Sequence, residues 1–341
     1  MAYARKSLVS LKDTPYYHCI SRCVRRSWLW GLDEYAGKDH SHRKGWIQDR
    51  LRLLSGVFAI DLCAYAVMSN HYHVIVHIDR RRASAWSIEE VIARWSLLFR
   101  LPLLVDRLQQ GLASDVEKES ALAIVERWRA RLYDVSWYMK CLNEHLARRA
   151  NVEDQCTGRF WEGRFKSQAL LDEAGLLTAM AYVDLNPVRA GVAATPEDSD
   201  FTSVFDRVKQ FARPMDSVPS SQDDCLLPPL MPFSKEAASG QPSIPFSLPE
   251  YLALLDWTGR MIHAGKRGAI DKDLPQIVRR LNIDAEVWSA SMKPHGNVFG
   301  RALGRLDRMR LHAETLGQCW IRGVQQAKRL YSYGIARVSM N

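Results

Sequence analysis

The chain has 341 residues, enough for one large domain or two of ordinary size. Its hydrophobic fraction of 47% and charged fraction of 25% are typical of a folded globular protein and exclude global disorder. A net charge of +9 favours a polyanionic partner, with nucleic acid ahead of an anionic membrane surface, although many globular proteins carry such an excess without a specific partner.

Cysteine usage and the N-terminus indicate the compartment. The seven cysteines are widely scattered and form no C-x-x-C pair, so we interpret them as reduced thiols of a cytosolic protein. The N-terminus has no apolar signal core, and no window approaches 18 uninterrupted apolar residues. We therefore predict neither a secretory signal nor a membrane span, and we expect a cytoplasmic location.

The N-terminal part of the chain begins with alternating strand and helix patterns. The stretch "YYHCISRCV" (16–24) alternates in residue type as a strand does, and residues 42–57 have the spacing of an amphipathic helix. Residues 60–68 and 71–78 are two apolar, β-branched and aromatic runs joined by a two-residue turn. This arrangement predicts a β-hairpin.

A second set of helices and one more strand follow the hairpin. A helix is predicted from 87 to 100, and helical spacing dominates 103–150. Residues 165–171 have a strand pattern, and residues 172–186 predict a helix that begins at Asp172 and ends before the next proline. The order β-α-β-β-α-β predicts an α+β fold, namely a ferredoxin-like antiparallel sheet with helices on one face.

Prolines mark a boundary about two thirds of the way along the chain. Eight of the fourteen fall between Pro214 and Pro249, a composition that favours an extended connector over helix or sheet. Residues 301–341 hold eight Lys and Arg against two Asp and Glu. We predict a first domain (1–210), a proline-rich linker (211–246) and a small, basic, all-helical C-terminal unit (247–341).

The hairpin carries two histidines in the middle of an apolar run. Side chains at i and i+2 of a strand point to the same face, so His71 and His73 project side by side while Tyr72 points to the opposite face. Two such imidazoles can bind one divalent metal, which then needs a third protein ligand and open positions for substrate or water. A purely structural pair of strand histidines is the alternative that the spacing alone leaves open.

A tyrosine and an asparagine lie one turn apart near the end of the predicted helix 172–186. At 100° per residue, Leu176, Met180 and Val183 form the core stripe, and Tyr182 and Asn186 share a neighbouring flank. In that position Asn186 offers a carbonyl oxygen to a metal and Tyr182 offers an oxygen nucleophile. An ordinary half-buried tyrosine is the alternative at this point.

Three separated motifs resemble one known family. "YAVMSNHYH" (65–73), "GRFWEGRFKS" (158–167) and "YVDLNPVRAG" (182–191) are similar, in this order, to motifs of the REP-associated tyrosine transposases, which belong to the single-tyrosine HUH nuclease superfamily. "YYHCISRCV" also resembles the first strand of that family. The resemblance covers about residues 14–205, in which it implies an extended helical insert at 101–134, and it does not extend to the C-terminal unit.

The resemblance implies a site and a chemistry. It makes His71 and His73 ligands of Mg²⁺ or Mn²⁺ and Tyr182 the nucleophile that forms a 5′-phosphotyrosine with single-stranded DNA beside a palindromic hairpin. Asn186 occupies the place where related transposases carry a glutamine, which implies the third ligand. Tyr72 departs from the more usual aliphatic middle residue, and a bulky aromatic still serves as a core residue there.

Basic and aromatic residues around the second motif are predicted to contact DNA. The basic residues are predicted to contact phosphates, and the tryptophan is predicted to stack on a base. The predicted DNA-binding residues are Arg159, Trp161, Arg164, Lys166 and Arg189. The aromatic residues of this motif have a core role as their alternative. The C-terminal unit is expected to grip the hairpin stem through its backbone, with a solvated helical face or a protein-contact module as alternatives.

Other functions and assemblies stay open at this point. A domesticated hairpin-binding protein or repressor would keep the DNA grip without catalysis, and a metallohydrolase would use water in place of the tyrosine. An RNA-binding module is a third class, but the sequence lacks the aromatic signature that the sheet of such a module would need. The sequence leaves a monomer and a homodimer as alternatives. The family resemblance implies a bacterial cytoplasmic protein that is associated with the nucleoid when bound.

Overall fold

The computed structural model describes residues 9–24, 31–33, 37–211, 228–234, 242–264, 275–292 and 300–331. The strands are β1 (Tyr16–Arg22), β2 (Leu32–Asp33), β3 (Lys38–Asp39), β4 (Ile60–Val67), β5 (His71–Ile78), β6 (Lys166–Leu170) and β7 (Ala302–Leu303). The helices are α1 (Arg43–Val57), α2 (Arg80–Ala85), α3 (Ile88–Ser96), α4 (Leu103–Gln109), α5 (Asp115–Arg131), α6 (Val135–Glu153), α7 (Glu173–Asp184), α8 (Asn186–Arg189), α9 (Ser203–Phe211), α10 (Leu248–Ala264), α11 (Gln276–Arg280), α12 (Ala285–Met292), α13 (Leu306–Thr315) and α14 (Val324–Leu330), with a 3₁₀ turn at Pro196–Asp198. The class is α+β, as predicted.

A five-stranded sheet organises these elements in the order β4-β5-β1-β6-β7. The first four strands pair antiparallel, and β7 adds to β6 in the parallel direction. Strand β1 therefore lies between β5 and β6, with Ile20 opposite His73 on one side and Lys166 on the other. This order brings residues from three distant parts of the sequence into one row.

One face of the sheet packs on α1 and α6. Tyr72 and Val74 of β5 join buried residues of α1 and α6, such as Leu51 and Leu142, in one hydrophobic cluster. Helices α4 and α5, which occupy the predicted insert, extend the same cluster. The alternation of β5 puts its aromatic and aliphatic residues here and its histidines on the other face.

The expectation of helices on one face only is wrong, because α7 covers the opposite face. Ten of its twelve residues are buried, including the predicted core positions Leu176, Met180 and Val183. A helix that is apolar on all sides needs partners on all sides. The sheet residues Ile75 and Leu170 pack on α7 together with α10 and α12, so α7 is a central layer.

Local capping explains where α7 begins. The Asp172 side chain accepts a hydrogen bond from the Gly175 amide, as expected of the predicted N-cap, which is worth about 1 kcal/mol. Gly175 also allows a close approach, since a Cβ atom there would lie 2.4 Å from the Leu303 carbonyl oxygen of β7. The helix ends at Asp184, and α8 begins at Asn186 with a proline in its first turn.

The C-terminal segment, defined as the described residues from 248 to 331, belongs to the same hydrophobic clusters as the sheet. Its α10 begins after Ser247, whose hydroxyl accepts a hydrogen bond from the Glu250 amide. The segment is not wholly helical, because β7 joins the sheet. Residues 265–274, 293–299 and 332–341 of the predicted unit lie outside the described residues.

Part of the predicted linker is packed against the sheet. The Met231 amide donates to the Leu62 carbonyl of β4 at 2.8 Å, and Met231 is buried. Phe233 bridges to Ile244, so this part of the connector folds back on itself. Residues 212–227 and 235–241 of the predicted linker lie outside the described residues. Among the described helices, none combines the length and the apolar character needed to cross a membrane.

Candidate functional site

The two histidines of β5 share the sheet face that α7 covers. The ring centroids of His71 and His73 are 4.9 Å apart at 73°, so the two imidazoles meet edge to face. Tyr72 between them is fully buried on the other face. The common face predicted from the spacing is confirmed.

A third histidine, which the sequence analysis did not identify, completes a buried imidazole group. His18 of β1 is fully buried, and its Nε2 lies 2.9 Å from the Nδ1 of His73. On its other side, the Nδ1 of His18 lies 3.4 Å from the Oε1 of Gln168, the residue opposite it on β6. Period two puts His18 on one face of its strand, but the pairing of β1 with β5 depends on the whole sheet.

Burial keeps these imidazoles neutral. It lowers the pKa of His18 to about 4. Burial and the charge of Arg22 lower the pKa of His71 to about 4, and burial with the neighbouring imidazoles pushes the pKa of His73 well below its usual range. A neutral imidazole has one nitrogen lone pair, which is the form that binds metal.

Two nitrogens of this group fit a divalent cation. The Nε2 of His73 is buried and has no hydrogen-bond partner among the described residues, which is costly unless a ligand takes the lone pair. The Nδ1 of His71 lies 2.6 Å from the Oδ1 of Asn70, so that nitrogen carries the proton and Nε2 carries the lone pair. Asn186 is also buried, and its amide nitrogen has no partner in the described part of the chain.

Tyr182 lies beside His73, as the sequence predicts. Its ring centroid is 6.0 Å from that of His73, and its side chain is half-buried on α7. The guanidinium of Arg189 lies 3.9 Å from the ring centroid of Tyr182. The tyrosine ring is therefore in contact with an imidazole and with a guanidinium.

Arg189 is in a different environment from the one predicted for a phosphate contact. It is 7% exposed, and its Nε donates to the Met292 carbonyl of α12 at 2.7 Å. The Arg189 guanidinium lies against the Tyr182 ring because α8 turns the chain toward α12. Arg189 is thus buried against the predicted nucleophile, and the C-terminal segment fixes it there.

The other predicted DNA-binding residues surround the sheet edge. Arg159, Arg164 and Lys166 are exposed. Trp161 is half-buried, its Nε1 donates to the Asn143 carbonyl at 2.9 Å, and its ring packs edge to face on Tyr72 at 5.7 Å. The indole therefore has the core contacts of the alternative interpretation, and its stacking on a base stays a prediction.

Register identifies one basic residue that the sequence analysis missed. Arg22 lies directly opposite His71 across β1 and is exposed on the histidine face. Lys166 lies opposite Ile20, in the same row as His73. Two exposed cations thus flank the imidazole group on the histidine face of the sheet.

A second group of metal-ligating residues lies far along the chain from the histidine pair. His40, Glu153 and Asp154 bring their ligand atoms within 4.8 Å of one another. The buried Arg43 already bonds both carboxylates, with its Nε 2.6 Å from Glu153 and a further bond to Asp154. These ion pairs join the start of α1 to the end of α6 and account for the cluster without a metal.

Comparison with known proteins gives one match of shape. No family model matches the chain, and no curated protein matches it. Among solved structures, it is similar to a REP-associated tyrosine transposase bound to a REP hairpin, with 14% sequence identity and a TM-score of 0.37. That similarity covers 64% of this chain and 92% of the other.

Proposed function

We propose that this chain is a metal-dependent endonuclease and strand transferase that acts on single-stranded DNA beside a palindromic hairpin. The observation that carries the proposal is the meeting of two neutral strand imidazoles with a tyrosine whose ring lies 6.0 Å from one of them. A buried imidazole nitrogen without a partner beside a hydroxyl nucleophile is the arrangement needed for metal-assisted attack on phosphorus.

The ligand set follows from the donors present. His71 and His73 would hold Mg²⁺ or Mn²⁺ through their Nε2 atoms, and Asn186 would supply a carbonyl oxygen. When bound, the cation polarises a non-bridging phosphate oxygen and compensates the charge that develops there. Arg22 and Lys166, which flank the histidines, would attract the DNA backbone to this face.

Tyr182 would be the nucleophile. Its Oη–P bond forms as the P–O3′ bond breaks, which leaves a 5′-phosphotyrosine and a free 3′-hydroxyl. The phenol loses its proton and the departing 3′-oxygen takes one up. Attack by a 3′-hydroxyl on the adduct reverses these steps, so strands are rejoined without ATP.

Recognition of the DNA would depend on exposed cations. The exposed Arg159, Arg164 and Lys166 would contact phosphates, and the C-terminal segment would contact the hairpin stem. Such contacts make binding salt-dependent, with a loss of one phosphate contact for each cation removed. The proposed location is the bacterial cytoplasm, and both a monomer and a homodimer are compatible with the proposal.

A covalent-adduct assay tests the function. Incubation with Mn²⁺ and a labelled single-stranded hairpin oligonucleotide is expected to give a denaturation-resistant adduct that EDTA, His73→Ala and Tyr182→Phe abolish. Tyr133→Phe is the matched control, because Tyr133 is half-buried on a loop and its ring contacts Arg80. An adduct that persists in Tyr182→Phe would show that another residue is the nucleophile.

Two other outcomes would replace the proposal. Cleavage without an adduct in the wild-type protein identifies water as the nucleophile and a metallohydrolase as the function. Hairpin binding without cleavage under every metal condition identifies a DNA-binding protein or repressor.

A further inference from the structure

A line of polar groups crosses three strands and ends at His73. It begins at the Gly300 carbonyl, which accepts from the Nε2 of Gln168 at 3.2 Å. The Oε1 of Gln168 lies 3.4 Å from His18 Nδ1, and His18 Nε2 lies 2.9 Å from His73 Nδ1. Gln168 and the two histidines are nearly or fully buried, so their hydrogen-bonding partners come mainly from within the protein.

The donor or acceptor character of each group allows only one arrangement of protons along this line. A backbone carbonyl can only accept, so Gln168 must turn its NH₂ group to Gly300 and its oxygen to His18. The reverse amide orientation would set two oxygens against each other at hydrogen-bond distance. Because the amide oxygen can only accept, the nitrogen of His18 that faces it, Nδ1, must carry the proton.

The same reasoning continues to His73. A neutral imidazole with a proton on Nδ1 has its lone pair on Nε2, and this lone pair faces the Nδ1 of His73. That Nδ1 must therefore donate, which leaves the lone pair of His73 on Nε2, its buried nitrogen without a partner.

We propose that His18 and Gln168 are positioning residues in a hydrogen-bond relay. The relay begins at the Gly300 carbonyl, fixes the proton of His73 on Nδ1 and so leaves the Nε2 lone pair to bind the metal. The proposal rests on the proposed function for the identity of the ligand, and on hydrogen-bond geometry for the tautomer. Outer partners that orient a metal-ligating histidine typically change metal affinity by about 10- to 100-fold when removed.

The carbonyl at the start of the relay is held firmly. Neighbouring backbone bonds pair this stretch with β6, since Ala169 donates to the Arg301 carbonyl at 3.0 Å and Leu171 donates to that of Leu303 at 2.9 Å. A Cβ atom on Gly300 would lie 2.2 Å from the Arg322 carbonyl oxygen, so only glycine fits. The C-terminal segment would thus support the proposed metal site through the bond from Gln168 to Gly300.

Nitrogen-15 NMR of the metal-free wild-type protein, labelled at histidine, tests the tautomer directly. The expected result is protonated Nδ1 and unprotonated Nε2 at both His18 and His73, at a pH where both are neutral. A protonated Nε2 on His73 overturns the proposal, and this measurement needs no variant.

Calorimetric titration with Mn²⁺ alone tests the relay. Gln168→Leu is expected to weaken Mn²⁺ binding about 10-fold and to give mixed tautomers at His73. Ser167→Ala is the matched control, because this neighbour on β6 alternates to the other face and its hydroxyl has no partner among the described residues. Equal Mn²⁺ affinity and an unchanged His73 tautomer in Gln168→Leu would refute the relay.

The two proposals fail separately. The predicted tautomers with Mn²⁺ binding but no DNA adduct would reject the strand-transferase function and keep the relay. A Tyr182 adduct with His73 in the opposite tautomer would reject the relay and keep the function.

Discussion

Arg189 and Tyr182 form a contact in which a cation lies against the proposed nucleophile. The guanidinium is 3.9 Å from the ring centroid, and its Nε is bonded to the Met292 carbonyl. A planar, delocalised cation can stack on a ring and donate at its edge at the same time, which a lysine ammonium cannot do. The contact therefore fixes the orientation of the Tyr182 ring.

Replacement of Arg189 tests this role against the predicted phosphate contact. Arg189→Met is expected to slow adduct formation about 10-fold at saturating DNA, equivalent to about 1.4 kcal/mol in the barrier, with little change in DNA affinity. Single-turnover kinetics and equilibrium DNA binding measure the two quantities. Arg164→Met, at an exposed cation, is expected to keep the rate of adduct formation and to weaken DNA binding. It should also reduce the salt dependence of binding by about one phosphate contact. If both variants lose DNA affinity equally and keep the rate, Arg189 contacts phosphate.

The neutral histidines make stability depend on acid. The unfolded chain binds a proton at His18 near pH 6.5, whereas the buried residue binds it only near pH 4. Between these values the unfolded state holds more protons, so stability falls as the pH falls, by about 1.4 kcal/mol per pH unit for this residue. Asp206 acts in the opposite sense, because burial raises its pKa to about 6.

A comparison of variants isolates the histidine contribution, since Asp206 is common to both proteins. From pH 6 to pH 4.5, urea unfolding of the wild-type protein should show about 1.4 kcal/mol more loss per pH unit than His18→Asn. Parallel curves would show that His18 does not change its proton affinity on folding.

At the scale of elements, the end of α7 is fixed by one buried carboxylate. Asp184 accepts from the Ser203 hydroxyl at 2.5 Å, the Val204 amide at 3.0 Å and the Tyr251 hydroxyl at 2.5 Å. Burial raises the pKa of this carboxyl, and the three donors act against that effect. The carboxylate joins α7 to α9 and α10 only two residues after Tyr182.

Removal of one donor should therefore loosen the helix end. Tyr251→Phe is expected to lower the free energy of unfolding by about 1–3 kcal/mol, because it leaves a buried carboxylate with one hydrogen bond fewer. Urea unfolding at pH 7 measures the loss, and Tyr133→Phe should have almost no effect. An unchanged stability in Tyr251→Phe would mean that the carboxylate does not depend on this hydroxyl.

Elements with a local signal were predictable from the sequence. Alternation of residue type identified β1, two apolar, β-branched and aromatic runs identified the hairpin, and Asp172 identified the start of α7. The strand pair that brings His18 to His73 was not predictable, because it depends on which strands become neighbours in the sheet. Strand β7 has only two residues, which is too short to show a period.

The residues of the candidate site also separate into those with a local sequence signal and those without one. Strand and helix spacing and the family resemblance predict two histidines and a tyrosine as site residues. The burial of Arg189 follows from the turn at α8 and from a carbonyl of α12, which no local pattern reports. Arg22 was missed because its place opposite His71 is a matter of register.

At the scale of the molecule, the C-terminal segment supports residues of the candidate site through two of its backbone carbonyls. Its Gly300 carbonyl bonds Gln168, and its Met292 carbonyl bonds Arg189. Its α10 and α12 cover α7, and buried side chains such as Leu254 and Trp288 join the cluster around that helix. The sheet, α7 and the C-terminal segment thus share one core.

A chain that ends at residue 210 is therefore expected to lose its cooperative unfolding transition and its Mn²⁺ binding. Exposure of the apolar surface of α7 is the physical reason, since each large side chain uncovered costs about 1.5–3 kcal/mol. Circular dichroism during heating and Mn²⁺ calorimetry measure the two properties. A cooperatively folding fragment that binds Mn²⁺ would support the independent first domain predicted from the proline-rich stretch.

The identity of the nucleophile is the central claim, and peptide mapping of the DNA adduct tests it most directly. Trypsin releases residues 167–189 as one peptide, in which Tyr182 is the single tyrosine. After reaction with Mn²⁺ and a hairpin oligonucleotide, nuclease trimming and mass spectrometry should find the 5′-phosphonucleotide on this peptide. A nucleotide on any other peptide, or strand cleavage with every peptide unmodified, would contradict the assignment of Tyr182.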